Sequence, residues 1–289
     1  MNKKIIITGT SGYIGGHLAT SLESDGNNVQ RLNVRDSHWK YHSFEDVDVI
    51  IHTAALVHNN NPNAKLEDYF KVNMHLPIEL ATKAKKEGVN QFIFMSTMAV
   101  YGEDGALGSE EEITNPYNTN PITNYGRSKA GAEKKLLEMA SDYFKVVIVR
   151  SPMVYGKDAP GNFTKLKRMA EILPIIPKIN NSRSAIYINH LEKYIHQFII
   201  NDSNGVYHPK DNFNFNTTKV ILEIRKLQNK KTILIPIPEF TFPMLNKVKI
   251  ISKIYGNLVY GEELYLYEEK MKITQKGFYS IIKSIITQR

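Results

Sequence analysis

Cysteine is absent from the sequence, and with it go disulfides, thiolate ligands and thiol nucleophiles. That absence fits a reducing compartment, and a cytoplasmic location is expected. Long apolar runs are also missing. No stretch is long enough to cross a bilayer, so no integral membrane segment is expected. The first apolar run, Ile5-Ile6-Ile7, flows into glycines rather than into a cleavage site. There is no block of one charge either. The net charge is +8, but the lysines are dispersed, with only short clusters such as Lys83, Lys85 and Lys86. Such a cluster reads as a solvated helix face, so nucleic acid is not the expected partner. The diffuse positive field suits an anionic small substrate instead. His52 and His58 could be taken for metal ligands, but no third ligand stands at a suitable spacing, and no metal site is assigned.

What is present is ample core-forming material. With 289 residues, 42% of them hydrophobic, the chain can build one large α/β domain or a domain with a smaller lobe. Lys3–Thr8 reads as a buried strand of β-branched residues. It runs into Thr8-Gly9-Thr10-Ser11-Gly12-Tyr13-Ile14-Gly15-Gly16 and then a helical pattern. Gly9 permits a tight turn, Gly12 lets the backbone approach a pyrophosphate, and Gly15 lets helix and strand pack closely. A glycine triplet alone could be a plain turn; between a strand and a helix it marks dinucleotide binding, with Ser11, Tyr13 and Ile14 as further contacts.

Val29–Val34 reads as a second strand, whose end is where dinucleotide folds meet the adenosine ribose. An acid there would accept from a 2′-hydroxyl; this chain has Asn33 followed by Arg35. An amide and a guanidinium suit a 2′-phosphate, which favours NADP(H) over NAD(H). The alternative is that Arg35 faces water and Asp36 takes the ribose. The link from Arg35 to Asp48 is too short for a full strand and helix. Asp48–Ala55 is the next strand and its outlet, where small Ala54 and Ala55 would let a cofactor lie close. Ala64–Gly88 reads as a long helix or helix pair broken near Pro77, with Asn73 expected to face the site and contact the cofactor.

Gln91–Ser96 is a further central strand ending in the hydroxyls of Ser96 and Thr97. The polar segment Glu103–Asn120 reads as a surface loop. The stretch Asn124-Tyr125-Gly126-Arg127-Ser128-Lys129 opens a helix, and the spacing of four puts Tyr125 and Lys129 on one face. A phenol is a poor acid near neutrality, but a nearby ammonium favours the phenolate and brings its pKa toward a useful range. Tyr143–Arg150 is another strand, after which the alternation becomes less regular. Strands separated by helical patterns point to an α/β, Rossmann-like, doubly wound parallel sheet, with residues 1–150 as the NAD(P)-binding part. Residues 151–289 are then mostly a smaller C-terminal substrate-binding lobe, interleaved with late Rossmann elements.

With Thr8-Gly9-x-x-Gly12-x-x-Gly15, Ser96-Thr97 and Tyr125-x-x-x-Lys129 in this order, the chain resembles the extended short-chain dehydrogenase/reductases, the NAD-dependent epimerase/dehydratase family. His52-Thr53-Ala54-Ala55, Val72-Asn73, Tyr101-Gly102 and Pro152-x-x-Tyr155-Gly156 are further matches. The resemblance implies a catalytic set of Thr97, Tyr125 and Lys129, with Thr97 rather than Ser96 because it stands four residues before Tyr101-Gly102. It implies a UDP-linked nucleotide-sugar substrate touched by Thr97 and Tyr125, with its diphosphate met by Asn162 and Arg183. A late Arg-x-Gly-Asp-type segment found in many members is not evident. The resemblance leaves a homodimer open.

Within the family, 4,6-dehydratases carry an Asp-Glu pair after the catalytic Thr, where this chain has Met98-Ala99. The runs Ile51–Asn60 and Phe94–Gly102 look like those of bacterial capsule-synthesis reductases that turn a UDP-4-keto-6-deoxy-HexNAc into UDP-N-acetyl-D-fucosamine, or its C4 epimer, for capsule or O-antigen. Two other readings stay open: a 4-epimerase holding NAD, and a non-catalytic dinucleotide sensor. An intact Thr97, Tyr125 and Lys129 argues against the sensor, which needs no proton donor.

Overall fold

A computed structural model describes residues 2–57, 65–102, 105–109, 111–265 and 273–287. The chain begins β1 (Lys4–Thr8), α1 (Tyr13–Ser24), β2 (Asn28–Leu32) and β3 (Val49–His52), followed by α2 (Leu66–Phe70) and α3 (Leu76–Lys86). Next come β4 (Gln91–Thr97), β5 (Glu112–Ile113), α4 (Asn124–Leu137), β6 (Lys145–Ser151) and β7 (Met153–Tyr155). The later half holds α5 (Asn162–Ile172), β8 (Ile175–Lys178), β9 (Ala185–Tyr187), α6 (Ile188–Ile200), β10 (Gly205–Tyr207) and α7 (Thr217–Leu227). It closes with β11 (Ile233–Pro236), α8 (Phe242–Leu245), α9 (Lys249–Tyr255), β12 (Val259–Tyr260) and α10 (Phe278–Thr287).

Two compact units emerge. The first comprises residues 1–102, 116–151 and 191–209; the second comprises 103–115, 152–190 and 210–289. In the first, six strands form one sheet in the order β10-β6-β4-β3-β1-β2, and every pairing is parallel. Such strands are covered on both faces, which is why β1, β3 and β4 read as continuous apolar runs. From β1 the sheet grows one way to β2 and the other way to β3, so the order reverses between β1 and β3. Ligands of open α/β sheets bind at the carboxyl ends of strands at that reversal. The fold is the Rossmann-like α/β architecture with a central parallel sheet.

The second unit carries three two-stranded pairs, β7/β9, β8/β11 and β12/β5, around α5, α7 and α10. β5 lies in the segment Glu103–Asn120, expected to be a surface loop. Its pairing with β12 and the burial of Leu107 make that expectation wrong for the central part.

Two other expectations shift. Residues 66–86 are helical throughout, and the interruption expected near Pro77 is not at the proline itself, which stands at the start of α3. The irregularity falls earlier, in a π-helical turn, Lys71–His75. β2 stops at Leu32 rather than Val34. As expected from its length, the link from Arg35 to Asp48 holds neither strand nor α-helix, only the 3₁₀ turn Ser37–Tyr41 with Trp39 and Phe44 buried. His58, Asn59, Asn60 and Ala64 lie outside the described residues, as do Glu103 and Asp104.

Candidate active site

The loop after β1 is shaped by its glycines. Gly9 has a φ of +75°, and a Cβ on it would fall 2.7 Å from the Ala54 Cα. A Cβ on Gly15 would meet the Gly9 carbonyl oxygen at 2.6 Å. The loops after β1 and β3 are therefore in backbone contact, at the reversal of the sheet order. Thr53 Oγ1 donates to the Thr8 carbonyl at 2.6 Å and holds them there. Gly12 N-caps α1 with no side-chain hydrogen bond, and the first turn carries no acid. The positive end of that helix dipole is thus open to an anion. Ser11 is exposed, while Tyr13, Ile14, Ala54 and Ala55 are half-buried. Arg35 Nη2 donates to Ser11 Oγ at 3.2 Å, and Asn33 Oδ1 accepts from Arg35 N at 3.1 Å. Asp36 Oδ1 accepts from His38 N at 2.9 Å. These residues fit a dinucleotide: a glycine-lined loop for the pyrophosphate and a guanidinium beside it at the end of β2.

Asn73 does not face the site. It is fully buried, its Oδ1 accepts from Leu56 N at 2.7 Å, and its Nδ2 donates to Leu56 O and to Ser128 Oγ at 2.9 and 3.0 Å. The π-helical turn swings it inward, where it ties the segment after Ala54-Ala55 to α4. His52 is a core residue rather than a ligand. Its Nδ1 shares a hydrogen bond with Thr8 Oγ1 at 2.9 Å, its ring stacks between Phe92 and Phe94, and burial drives its pKa to about 3. Among the described residues no group of three or more His, Asp or Glu could hold a metal.

α4 is started by Thr123, whose side chain accepts from Gly126 N at 3.0 Å. A Cβ on Gly126 would lie 2.5 Å from the Ala99 carbonyl oxygen, so only glycine lets α4 come this close to the 3₁₀ turn Met98–Tyr101 that follows β4. That approach joins Thr97 to Tyr125 by a side-chain hydrogen bond. Thr97 Oγ1 also accepts from Ala99 N at 3.2 Å. Ser96 points the other way, into a buried hydrogen bond with Glu133.

Burial pushes the Tyr125 phenol up to about 12, against the lowering effect of the Thr97 bond. Lys129 is also buried, and desolvation brings its ammonium down to about 7, although Glu133 works to keep it charged. Its Nζ donates to Met95 O at 2.7 Å and lies 4.2 Å from the centre of the Phe94 ring. This corrects the expected electrostatics of the pair. The spacing of four places Tyr125 and Lys129 on one helix, but with the lysine drawn onto β4 it is Thr97 that opposes the rise of the phenol.

Beneath these residues lies a polar chain that sequence reasoning missed. Arg150 Nη2 and Nε donate to Glu133 Oε2 at 2.7 and 3.1 Å, with both partners buried. Arg150 Nη1 donates to Tyr101 OH at 2.7 Å. The Tyr101 hydroxyl can then donate to His208 Nε2, 2.7 Å away, because burial and Arg150 keep that imidazole neutral, its pKa about 3. Two signals were available: Glu133 stands four residues after Lys129, and Arg150 ends the apolar run Val146–Val149.

In the second unit, Asn162 and Arg183 line a single pocket with Met153, Phe215 and Lys253. Asn162 opens α5, whose N-cap Gly161 provides no capping side chain. Arg183 Nη1 donates to Lys253 O at 2.7 Å, which aims the guanidinium. An uncapped helix N-terminus with a guanidinium lining the same pocket is suited to an anion.

Relatives bear on this assembly. The chain is 28% identical over 287 residues to a UDP-glucose 4-epimerase of Vibrio cholerae, covering 89% of this chain and 87% of that one. It is 26% identical over 280 residues to N-acetyl-alpha-D-glucosaminyl-diphospho-ditrans,octacis-undecaprenol 4-epimerase of Escherichia coli O157:H7, covering 89% and 82%. Its fold is shared with dTDP-4-dehydrorhamnose reductase from Bacillus anthracis in complex with NADP, at a TM-score of 0.72, 18% identity and 99% coverage of both chains. It is also shared with UDP-N-acetylglucosamine 4-epimerase from Methanobrevibacter ruminantium, at a TM-score of 0.75 and 18% identity, over 99% of this chain and 97% of that one. The family model described as NAD dependent epimerase/dehydratase family matches residues 5–193. With that match over most of the chain, and a glycine-lined loop, Thr97, Tyr125 and Lys129 within it, the protein belongs to the NAD dependent epimerase/dehydratase family.

Proposed function

We propose that this enzyme is an NADPH-dependent reductase of a UDP-4-keto-6-deoxy-N-acetylhexosamine. Its product is UDP-N-acetyl-D-fucosamine or the C4 epimer, quinovosamine, destined for capsule or O-antigen. Family membership makes it an NAD(P)-dependent enzyme of nucleotide-sugar chemistry. One observation carries the step to a reductase: Arg35 is anchored on Ser11 beside a neutral Asn33. That end of the site suits a 2′-phosphate, and NADPH is the cofactor of reductive turnover rather than of an oxidation that is reversed in place.

The cofactor, when bound, supplies hydride to C4 of the ketone. Tyr125 starts protonated, as its pKa of about 12 requires, and gives its proton to O4 as charge develops there. Thr97 donates a hydrogen bond to the same oxygen. Lys129, its charge favoured by Glu133, contacts the cofactor ribose. Asn162 and Arg183 take the nucleotide diphosphate. With Met98 and Ala99 following Thr97, no carboxyl pair is present there to eliminate water.

A second reading, a 4-epimerase with retained NAD, draws support from the 4-epimerase names of the Vibrio and Escherichia relatives. The deciding experiment is single-turnover transfer from 4-deuterated NADPH to a UDP-4-keto-6-deoxy-HexNAc. Deuterium at C4 of the product is the expected result. Purified protein that carries tightly bound NAD and equilibrates UDP-HexNAc epimers without net redox change would establish the epimerase instead.

A further inference from the structure

Several of the apolar side chains that the second unit leaves in solvent fall in one stretch of chain, β11 to α8, and its partner strand β8. β11 pairs with β8 in the register Ile233↔Ile175 and Ile235↔Pro177, and the period of two puts Ile175, Ile233 and Ile235 on one face of the ribbon. These three are 50, 59 and 45% exposed. From β11 the chain passes through a 3₁₀ turn, Glu239–Thr241, into α8. On the inward side of this segment Ile237, Phe242 and Leu245 pack against Leu107, Ile179 and Tyr255. Along the same segment Phe240, Met244 and Val248 are 85, 66 and 45% exposed. Large apolar side chains this exposed, beside others that are packed, make an apolar patch rather than a frayed core.

The same stretch of chain is basic. Lys230, Lys231 and Lys247 are exposed along it, against the acid Glu239. Among the described residues none of these three cations is in an ion pair. Lys230 Nζ is held on the Glu171 carbonyl at 2.6 Å, which fixes one charge where β11 begins.

We propose that this face docks the enzyme on the surface of an anionic lipid bilayer. Ile233, Ile235, Phe240 and Met244 enter the interfacial zone, and the flanking lysines reach lipid phosphates with their stems along the apolar surface. Side chains as exposed as Phe240 present protruding tips, which a fluid interface admits without a complementary shape. A second copy meeting this face symmetrically would oppose lysine to lysine. No helix among the described residues is long and apolar enough to cross a membrane, so the attachment is peripheral. It does not depend on the reductase reading.

The test is co-sedimentation of the full chain with vesicles of phosphatidylcholine, with and without phosphatidylglycerol. Retention by the phosphatidylglycerol vesicles, weakened by added salt, is expected. A Phe240→Ser/Met244→Ser variant and, separately, a Lys230→Glu/Lys231→Glu variant should each bind about tenfold more weakly. Both should keep the wild-type melting temperature and NADPH affinity. The proposal is overturned if the anionic vesicles retain no wild-type protein, or if both variants bind like wild type. It is equally overturned if these substitutions convert a dimer to a monomer in sedimentation velocity, which would make the face an interface between copies.

Discussion

Arg35 Nη2 donates to Ser11 Oγ at 3.2 Å, a bond that joins the loop after β1 to the chain leaving β2. A bound 2′-phosphate would replace Ser11 as the acceptor for a guanidinium already in place. Arg35→Ala should therefore weaken NADPH by roughly 1.5–3 kcal/mol and NADH far less. Fluorescence titration of both cofactors checks this, and equal losses would remove Arg35 from cofactor selection.

Glu133 and Arg150 form a buried ion pair, with Ser96 on the same carboxylate. Glu133→Ala strands the Arg150 charge inside the first unit and should cost about 3–5 kcal/mol. Adding Arg150→Met removes the stranded charge, so the double variant should be more stable than Glu133→Ala alone. Urea unfolding of the three variants gives the coupling; simple additivity would mean the pair contributes nothing as a pair.

The sequence makes some of this legible and hides the rest for physical reasons. β1, its glycine loop and the start of α4 are local patterns, set by β-branched runs, turn residues and helical spacing, so they could be read in order. Thr97 was separable from Ser96 only through the resemblance; the structure gives the physical difference, one hydroxyl on Tyr125 and the other on Glu133. Asn73 was misjudged because a π-helical turn rotates a side chain away from the direction regular helical spacing implies. The Tyr101–His208 contact spans 107 residues, and β5 finds β12 far along the chain. No local period encodes such pairings.

Burial lowers the Lys129 pKa from 10.5 to about 7. Between those values the unfolded chain holds a proton that the folded chain has released, so stability rises with pH, by up to ~1.4 kcal/mol per unit. Below about pH 7 both states are protonated and the full penalty of the buried charge remains. Lys129→Met removes that charge. Its stability advantage over wild type should be full below pH 7 and smaller by roughly 2 kcal/mol near pH 9 than at pH 7. Urea melts of both proteins at the two pH values decide; parallel behaviour would mean the ammonium is not penalised by burial.

The proposed reduction gives Tyr125, Thr97 and Lys129 separate signatures. Tyr125→Phe removes the proton donor and keeps the ring, so kcat should fall by ~10²–10⁴ with NADPH affinity unchanged. Thr97→Ala removes one hydrogen bond to the reacting oxygen and should cost less, again mainly in kcat. The pH profile separates the lysine from the tyrosine. The profile of kcat/KM reports groups of the free enzyme, in which Tyr125 stays protonated up to about 12 while Lys129 loses its proton near 7. Reduction needs both protons in place, so kcat/KM should decline as pH rises through about 7, and the group responsible is Lys129. Tyr125→Phe and Thr97→Ala should lower the whole profile without moving that limb. Lys129→Met should abolish the limb, leaving a low activity independent of pH in this range. A Lys129→Met enzyme that keeps the limb at its wild-type position would assign it to another group and end the case for a charged Lys129 in turnover.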